Sequence, residues 1–260
     1  MWADDEEFGT PLGRIGAAFL GAAVLIGVWQ YVGANELVGT SIAPPSEVLR
    51  VFSESAQRSM VLEAARVTGV EALKGFFWGA LLATAVGLFV TALPVFRKGV
   101  DQLATAQSAI PFVALAPILL ANFERTSIPV AMSACTVFFT IYVAVVQGLG
   151  SASPTLEEVL VVFGGSRRAR LLRIQLPSAL PVVATSFKVA MPLAIVGAVI
   201  GEWFGISKGV GPMLLSAMRN YQMPTMWALA TATVALALVL FGTMALLERL
   251  AMGRFEGATR

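Results

Sequence analysis

Uncharged apolar windows recur along the chain at 15–35, 75–96, 102–123, 126–156 and 220–247. A sixth window, 174–201, is interrupted only by Lys188. A membrane span needs about 20 mostly apolar residues, so the pattern predicts an all-α membrane protein with six transmembrane helices and both termini on one side. Pro111, Pro117 and Pro192 fall inside these windows. Membrane helices tolerate proline where neighbours satisfy the freed backbone groups.

Between the first two windows the pattern changes. The stretch PPSEVLRVFSESAQRSMVLEAARV, residues 44–67, opens with a proline stop and sets Val48, Phe52, Met60 and Ala64 at near-helical spacing. Its charges alternate in sign. This predicts an amphipathic helix lying on the outer membrane surface. The chain then divides into 1–68 (N-terminus, first span and external segment), 69–255 (a core of five spans with a loop at 148–178) and 256–260 (a tail). No internal repeat is visible.

Composition strengthens the membrane reading. Only 13% of residues are charged and 57% are hydrophobic, where a soluble domain carries about 25% charged residues. A net charge of +2 with no basic tail gives no reason to expect nucleic acid as a partner. Histidine is absent, which excludes histidine-based catalysis, proton relay and zinc binding. The single cysteine, Cys135, lies in an apolar run and reads as a small buried hydrophobe. Asp4, Asp5, Glu6 and Glu7 stand where a cleavable signal would be basic, so the first window is expected to stay in the membrane.

Arginine and lysine then set the orientation, because cytoplasmic connections carry the excess. Arg14, Arg97, Lys98, Arg167, Arg168, Arg170, Arg173, Arg249, Arg254 and Arg260 share one side. Arg50, Arg58, Arg66, Arg125, Lys208 and Arg219 are spread over longer connections on the other. The first set, with both termini and the 148–178 loop, is expected in the cytoplasm.

That loop is unusual. EEVLVVFGGSRRARLLRIQLP, residues 157–177, crowds two glutamates and four arginines between uncharged windows. Thr155 and Glu158 fit a capping box that starts a helix, with Ser153-Pro154 as a competing start. Gly164-Gly165 ends the helix, since glycine is the usual residue just past a helix C-terminus. Ser166 caps a second helix bearing Arg167, Arg170 and Arg173, and Pro177 marks the start of the next span. A plain connection needs only about two to eight residues, so two readings compete. The arginines anchor the loop on anionic headgroups, or the two-helix elbow docks a cytoplasmic partner.

Glu158, Gly164, Ile174, Leu176 and Pro177 keep the spacing of the EAA motif, Glu-Ala-Ala-x3-Gly-x9-Ile-x-Leu-Pro, and the loop resembles the coupling helices of bacterial ABC importer permeases. Val159 and Leu160 replace the motif's two alanines. IAPPSEVL, AIPFVALAPILLANF and IGEWFGISKGVG are similar to segments of the nitrate, sulfonate, taurine and pyrimidine-precursor branch. NFERTSIP departs from the Trp-Phe-Gly turn commoner there.

The resemblance implies a type I ABC importer permease fold and a bacterial inner-membrane protein that is not itself an enzyme. It implies Glu157, Glu158, Gly164, Gly165, Arg167, Arg168, Ile174, Leu176 and Pro177 as the ATPase-coupling set. It implies as partners a second copy of the permease, two ATP-binding cassette subunits that hold ATP and Mg, and an extracytoplasmic solute-binding protein. No cofactor is expected in this chain. The run Gly205 to Gly211 contains Lys208 but lacks the Gly-Lys-Ser/Thr order of a phosphate-binding loop, so energy has to come from a separate subunit.

Lys188 sits mid-span, where an ammonium costs about 2.5–3.5 kcal/mol on insertion scales. It is expected to face a solute path or to meet a carboxylate, carbonyls or an interface. Gln107, Met191 and Glu202 complete the candidate path residues, although Glu202 with Trp203 also reads as the outer water boundary. The competing function is a stand-alone secondary transporter or channel. That would usually need inverted repeats or several intramembrane ionisable groups, and one lysine does not supply them. A membrane-embedded enzyme ranks third, because the spans hold no clustered acids and no histidine. The solute is not identified by these residues.

Overall fold

The structure is a computed structural model, and it describes residues 11–205 and 208–256. The acidic N-terminal stretch and most of the 256–260 tail lie outside the described residues. Among the described residues five helices are long and apolar enough to cross a membrane, and a helix pair bent by 107° brings the number to six when it is counted as one span.

Helix α1 (Pro11–Ala34) leads through a short extended segment, Leu37–Thr40, to α2 (Pro45–Ser53) and α3 (Ser55–Ala92). Pro44 caps α2 and Pro45 takes its first position, as the proline stop predicts. The expected single amphipathic helix is corrected in two ways. Glu54 is extended (φ −79°, ψ 118°) and splits it, so residues 55–68 begin α3, which runs across position 68/69 without a break. The apolar face of α2 also meets protein. Val48 and Val51 are buried in a cluster with Val61, Ala64, Val210 and Leu229, while Met60 is exposed. Helical spacing is the same for a face that meets lipid and a face that meets another helix.

The third window is corrected as well. It is not one helix but two, α4 (Arg97–Ala109) and α5 (Phe112–Asn122), bent by 107°. A residue before proline is pushed out of the helical region. Ile110 accordingly takes φ −75°, ψ 128° and Pro111 caps α5. Pro117, by contrast, stays inside α5.

Helix α6 (Ile128–Gly150) returns the chain, and α7 (Pro154–Val162) and α8 (Arg167–Arg170) make the elbow. Beyond it, α9 (Leu176–Gly205), α10 (Val210–Arg219) and α11 (Met223–Glu256) complete the bundle. Pro177 does not start a new helix. The chain is helical from Arg167 to Gly205, and a π-helical stretch at Leu171–Gln175 precedes the proline. Proline lacks an N–H and its ring crowds the carbonyl four residues back, so the wider turn accommodates it.

The core lies where α3, α6 and α9 meet. Ala72, Phe76, Ile141, Val145, Met191 and Ile195 are enclosed there. Lipid tails give helices no hydrophobic reason to associate, so close packing of small residues has to do it. A Cβ on Gly79 would lie 2.6 Å from the Ala134 carbonyl oxygen, and one on Gly201 would lie 2.6 Å from Pro129 Cα. Helix α1 stands apart with most side chains exposed. It is held at one end, where Trp29 Nε1 donates to the Ala43 carbonyl at 3.0 Å and its ring lies 5.3 Å from that of Trp227.

Candidate functional site

The elbow is built by its own residues. Ser153 caps α7 with Pro154 at the first position, so the competing start holds and the Thr155 box does not. The helix ends in a Schellman arrangement. Gly165 N–H donates to the Leu160 carbonyl at 2.8 Å and Gly164 N–H to the Val161 carbonyl at 2.9 Å. Gly164 sits at φ +73°, the left-handed conformation that glycine adopts without penalty. Gly165 meets a different demand, since a Cβ there would lie 2.7 Å from the Leu160 carbonyl oxygen and against the Leu160 side chain. The leucine that replaces a motif alanine is thus accommodated by a glycine. Ser166 caps α8, its Oγ accepting from Ala169 N–H at 3.2 Å.

Glu157, not Glu158, ties the two arms together. Its carboxylate accepts from Gln175 Nε2 at 2.9 Å and lies 3.7 Å from the Arg170 guanidinium. Glu158 points outward and is exposed, as are Arg167, Arg168 and Pro177. Ile174 and Leu176 are half-buried, and Leu171 and Leu176 pack on the main core. The corner itself is apolar, with Val162 83% and Phe163 84% exposed. Sequence reasoning expects a projecting elbow defined by its charge and missed its apolar tip. The signal was the run VLVVF set between charges, which it read as helix interior.

The candidate path residues do not share one cavity. Lys188 Nζ donates to Glu248 Oε2 of α11 at 2.6 Å, and Thr185 Oγ1 donates to Glu248 Oε1 at 2.6 Å. Glu248 was not singled out from the sequence, because it stands 60 residues away at the edge of a window. Removing one partner of a half-buried pair strands the other charge. Lys188→Met is therefore expected to lower the unfolding temperature of the purified protein more than the double change Lys188→Met with Glu248→Leu, and a double-mutant cycle checks it. Met191 has no exposed surface, so its place on a path is corrected to a place in the core. Gln107 Nε2 donates to the Cys135 carbonyl at 2.9 Å. It lines an apolar hollow of about 350 Å³ with Cys135 and Phe138.

Glu202 is fully buried, so the water-boundary reading is overturned. Its carboxylate accepts from Thr68 Oγ1 of α3 and from Gly211 N–H, both at 2.6 Å. Thr68 Oγ1 in turn accepts from Val210 N–H at 2.9 Å. The first two amides of α10 are thus capped by the side chains of Thr68, 142 residues away, and of Glu202, nine residues back, because its cap position is Gly209. That glycine lies at φ +104°, and a Cβ there would meet the Glu202 carboxylate. Beside this anchor, Glu71, Arg125, Trp203 and Lys208 line a cleft of about 780 Å³.

Comparison with known proteins accords with this architecture. Residues 75–252 match the family described as binding-protein-dependent transport system inner membrane component. The chain is 32% identical over 155 residues to the formylaminopyrimidine transport permease protein ThiX of Halalkalibacterium halodurans, covering 58% of this chain and 62% of that protein. It thus spans less than two thirds of that relative. It is 27% identical over 221 residues to an ABC transporter permease protein of Haemophilus influenzae, covering 84% and 89%. To the aliphatic sulfonates transport permease protein SsuC of Bacillus subtilis it is 26% identical over 203 residues, covering 77% and 73%. The chain belongs to the binding-protein-dependent transport system inner membrane component family and is a multi-pass transport permease.

Proposed function

We propose that two copies of this chain form the membrane part of an ATP-driven importer for a small polar or anionic solute. Two ATP-binding subunits grip the two elbows from the cytoplasm, and an extracytoplasmic binding protein delivers the solute. The observation that carries this reading is the apolar corner at Val162 and Phe163, exposed between the glutamates and the arginines and braced by Glu157. A rigid apolar projection outside the spans marks a protein contact, whereas a headgroup anchor needs only the arginines. ATP binding closes the partner subunits and moves the elbows. Because α8 continues into α9, that movement reaches the core and biases an equilibrium between inward and outward access. The solutes named for the relatives, a formylaminopyrimidine and aliphatic sulfonates, support a small polar cargo.

The test is the composition and energetics of the complex. Native mass spectrometry of the tagged permease is expected to show two copies with two ATPase subunits, and reconstituted uptake is expected to require ATP. A lone chain that transports in liposomes without ATP overturns the reading.

Topology is tested separately, in a Cys135→Ala background. An impermeant thiol reagent applied to intact cells is expected to label Ser53→Cys and to spare Ser166→Cys. The reverse pattern inverts the orientation.

A further inference from the structure

We propose that Glu71 and Glu202 share one proton, and that this carboxyl pair is a pH-sensitive latch between α3, α9 and α10. The inference goes beyond the permease reading and does not depend on it. Glu71 stands three residues after Thr68 on α3, which puts the two on one helix face. Thr68 donates to Glu202 Oε1, so the next turn of that face carries Glu71 to the same carboxylate. The Glu71 and Glu202 carboxyls hydrogen-bond each other. Along the chain no acids cluster in the spans, and it is the packing of α3 against α9 that makes this pair.

The hydrogen bonds identify which carboxyl carries the proton. Glu202 is fully buried, and its two oxygens accept from Thr68 Oγ1 and from Gly211 N–H. With a donor already on each oxygen, Glu202 is the carboxylate. An ionised carboxyl is acceptor-only, so Glu71 bonds to Glu202 only as the O–H donor. Glu71 Oε2 is buried and receives no hydrogen bond among the described residues, which a neutral carboxyl tolerates better than a charged one. Neither glutamate makes a salt bridge among the described residues, and two carboxylates sharing a site disfavour each other's charge. The charged groups around the pair are Lys74 one turn along α3, Arg125 before α6 and Lys208 before α10. Helix α6 itself carries none.

The proton can come and go. Glu71 is half-buried and borders the cleft that Arg125 and Lys208 line, so solvent reaches it from that side. Loss of the proton sets two negative charges against each other where α3 meets α9. Glu71 is then driven into the cleft toward the two cations, and the Thr68–Glu202–Gly211 anchor of α10 loses a hydrogen bond. At neutral pH the folded chain holds a proton that the unfolded chain has released. This contribution to stability is therefore full in acid and is lost as the pH rises.

The test uses the full-length protein purified in detergent. Infrared spectra at neutral pH are expected to show a protonated-carboxyl C=O band, since exposed aspartates and glutamates are ionised there. Glu71→Gln is expected to remove that band, as is Glu71→Leu, a second variant without the carboxyl. The wild-type unfolding temperature is expected to fall from slightly acid to slightly alkaline buffer. Glu71→Gln is expected to flatten this slope and to keep the acid value, because the glutamine amide donates to Glu202 from the same place. A wild-type spectrum without the band at neutral pH overturns the proposal, and so does an unchanged pH slope in Glu71→Gln.

Discussion

Gly164→Val is expected to abolish coupled uptake while the protein still inserts at normal levels. At φ +73° the glycine has nothing within 4 Å of a Cβ position, so the effect is one of backbone conformation and not of crowding. An L-residue in the left-handed region costs about 1–2 kcal/mol, and a β-branched one is worse placed still. Each 1.4 kcal/mol is about tenfold in population, so valine largely empties the corner that aims Val162 and Phe163. Asparagine tolerates this conformation better, and Gly164→Asn is expected to keep most of the activity. Membrane abundance, ATPase retention and uptake measured together check the series. Normal uptake with Gly164→Val removes the reason for assigning the elbow to coupling. Glu157→Ala, which unties the two arms, is expected to act in the same direction and more strongly than Glu158→Ala.

Glu202→Leu is expected to give the largest loss of stability of any single change around the start of α10. The substitution leaves the Gly211 amide buried without an acceptor, at about 1–3 kcal/mol, and leaves the Thr68 hydroxyl only the Ala64 carbonyl at 3.1 Å. Glu202→Gln retains one carbonyl acceptor and is expected to cost less. Gly211→Ala tests the same anchor from the other side, since its Cβ would lie 2.6 Å from the Val199 carbonyl oxygen and 2.8 Å from Glu202 Cβ. Thermal unfolding in detergent is the measurement. Unfolding temperatures unchanged in Glu202→Leu and Gly211→Ala together show that the buried carboxylate holds nothing.

Hydropathy and glycine chemistry determined much of this protein from sequence alone. A run of about 20 uncharged apolar residues has one stable solution in lipid, and the five unbroken spans followed from it. A glycine pair behind an apolar run has few uses, and the left-handed corner at Gly164 with its Ser166 cap was legible for that reason. Local signals cannot say what a face meets. The α2 face that was expected to meet lipid meets α3 and α11, because periodicity encodes amphipathicity and not the neighbour. Pro111 breaks its helix where Pro117 and Pro192 do not, and which outcome prevails depends on whether adjacent helices can take up the freed groups.

Long-range pairing was the part that only the tertiary structure decided. Glu248 meets Lys188 across 60 residues, and Glu202 meets Thr68 across 134. In each case a polar group that looked functional or peripheral along the chain proved to be satisfied within the bundle. Burial in a low-dielectric interior makes such pairing obligatory, but the choice of partner is set by how helices distant in sequence come to lie side by side.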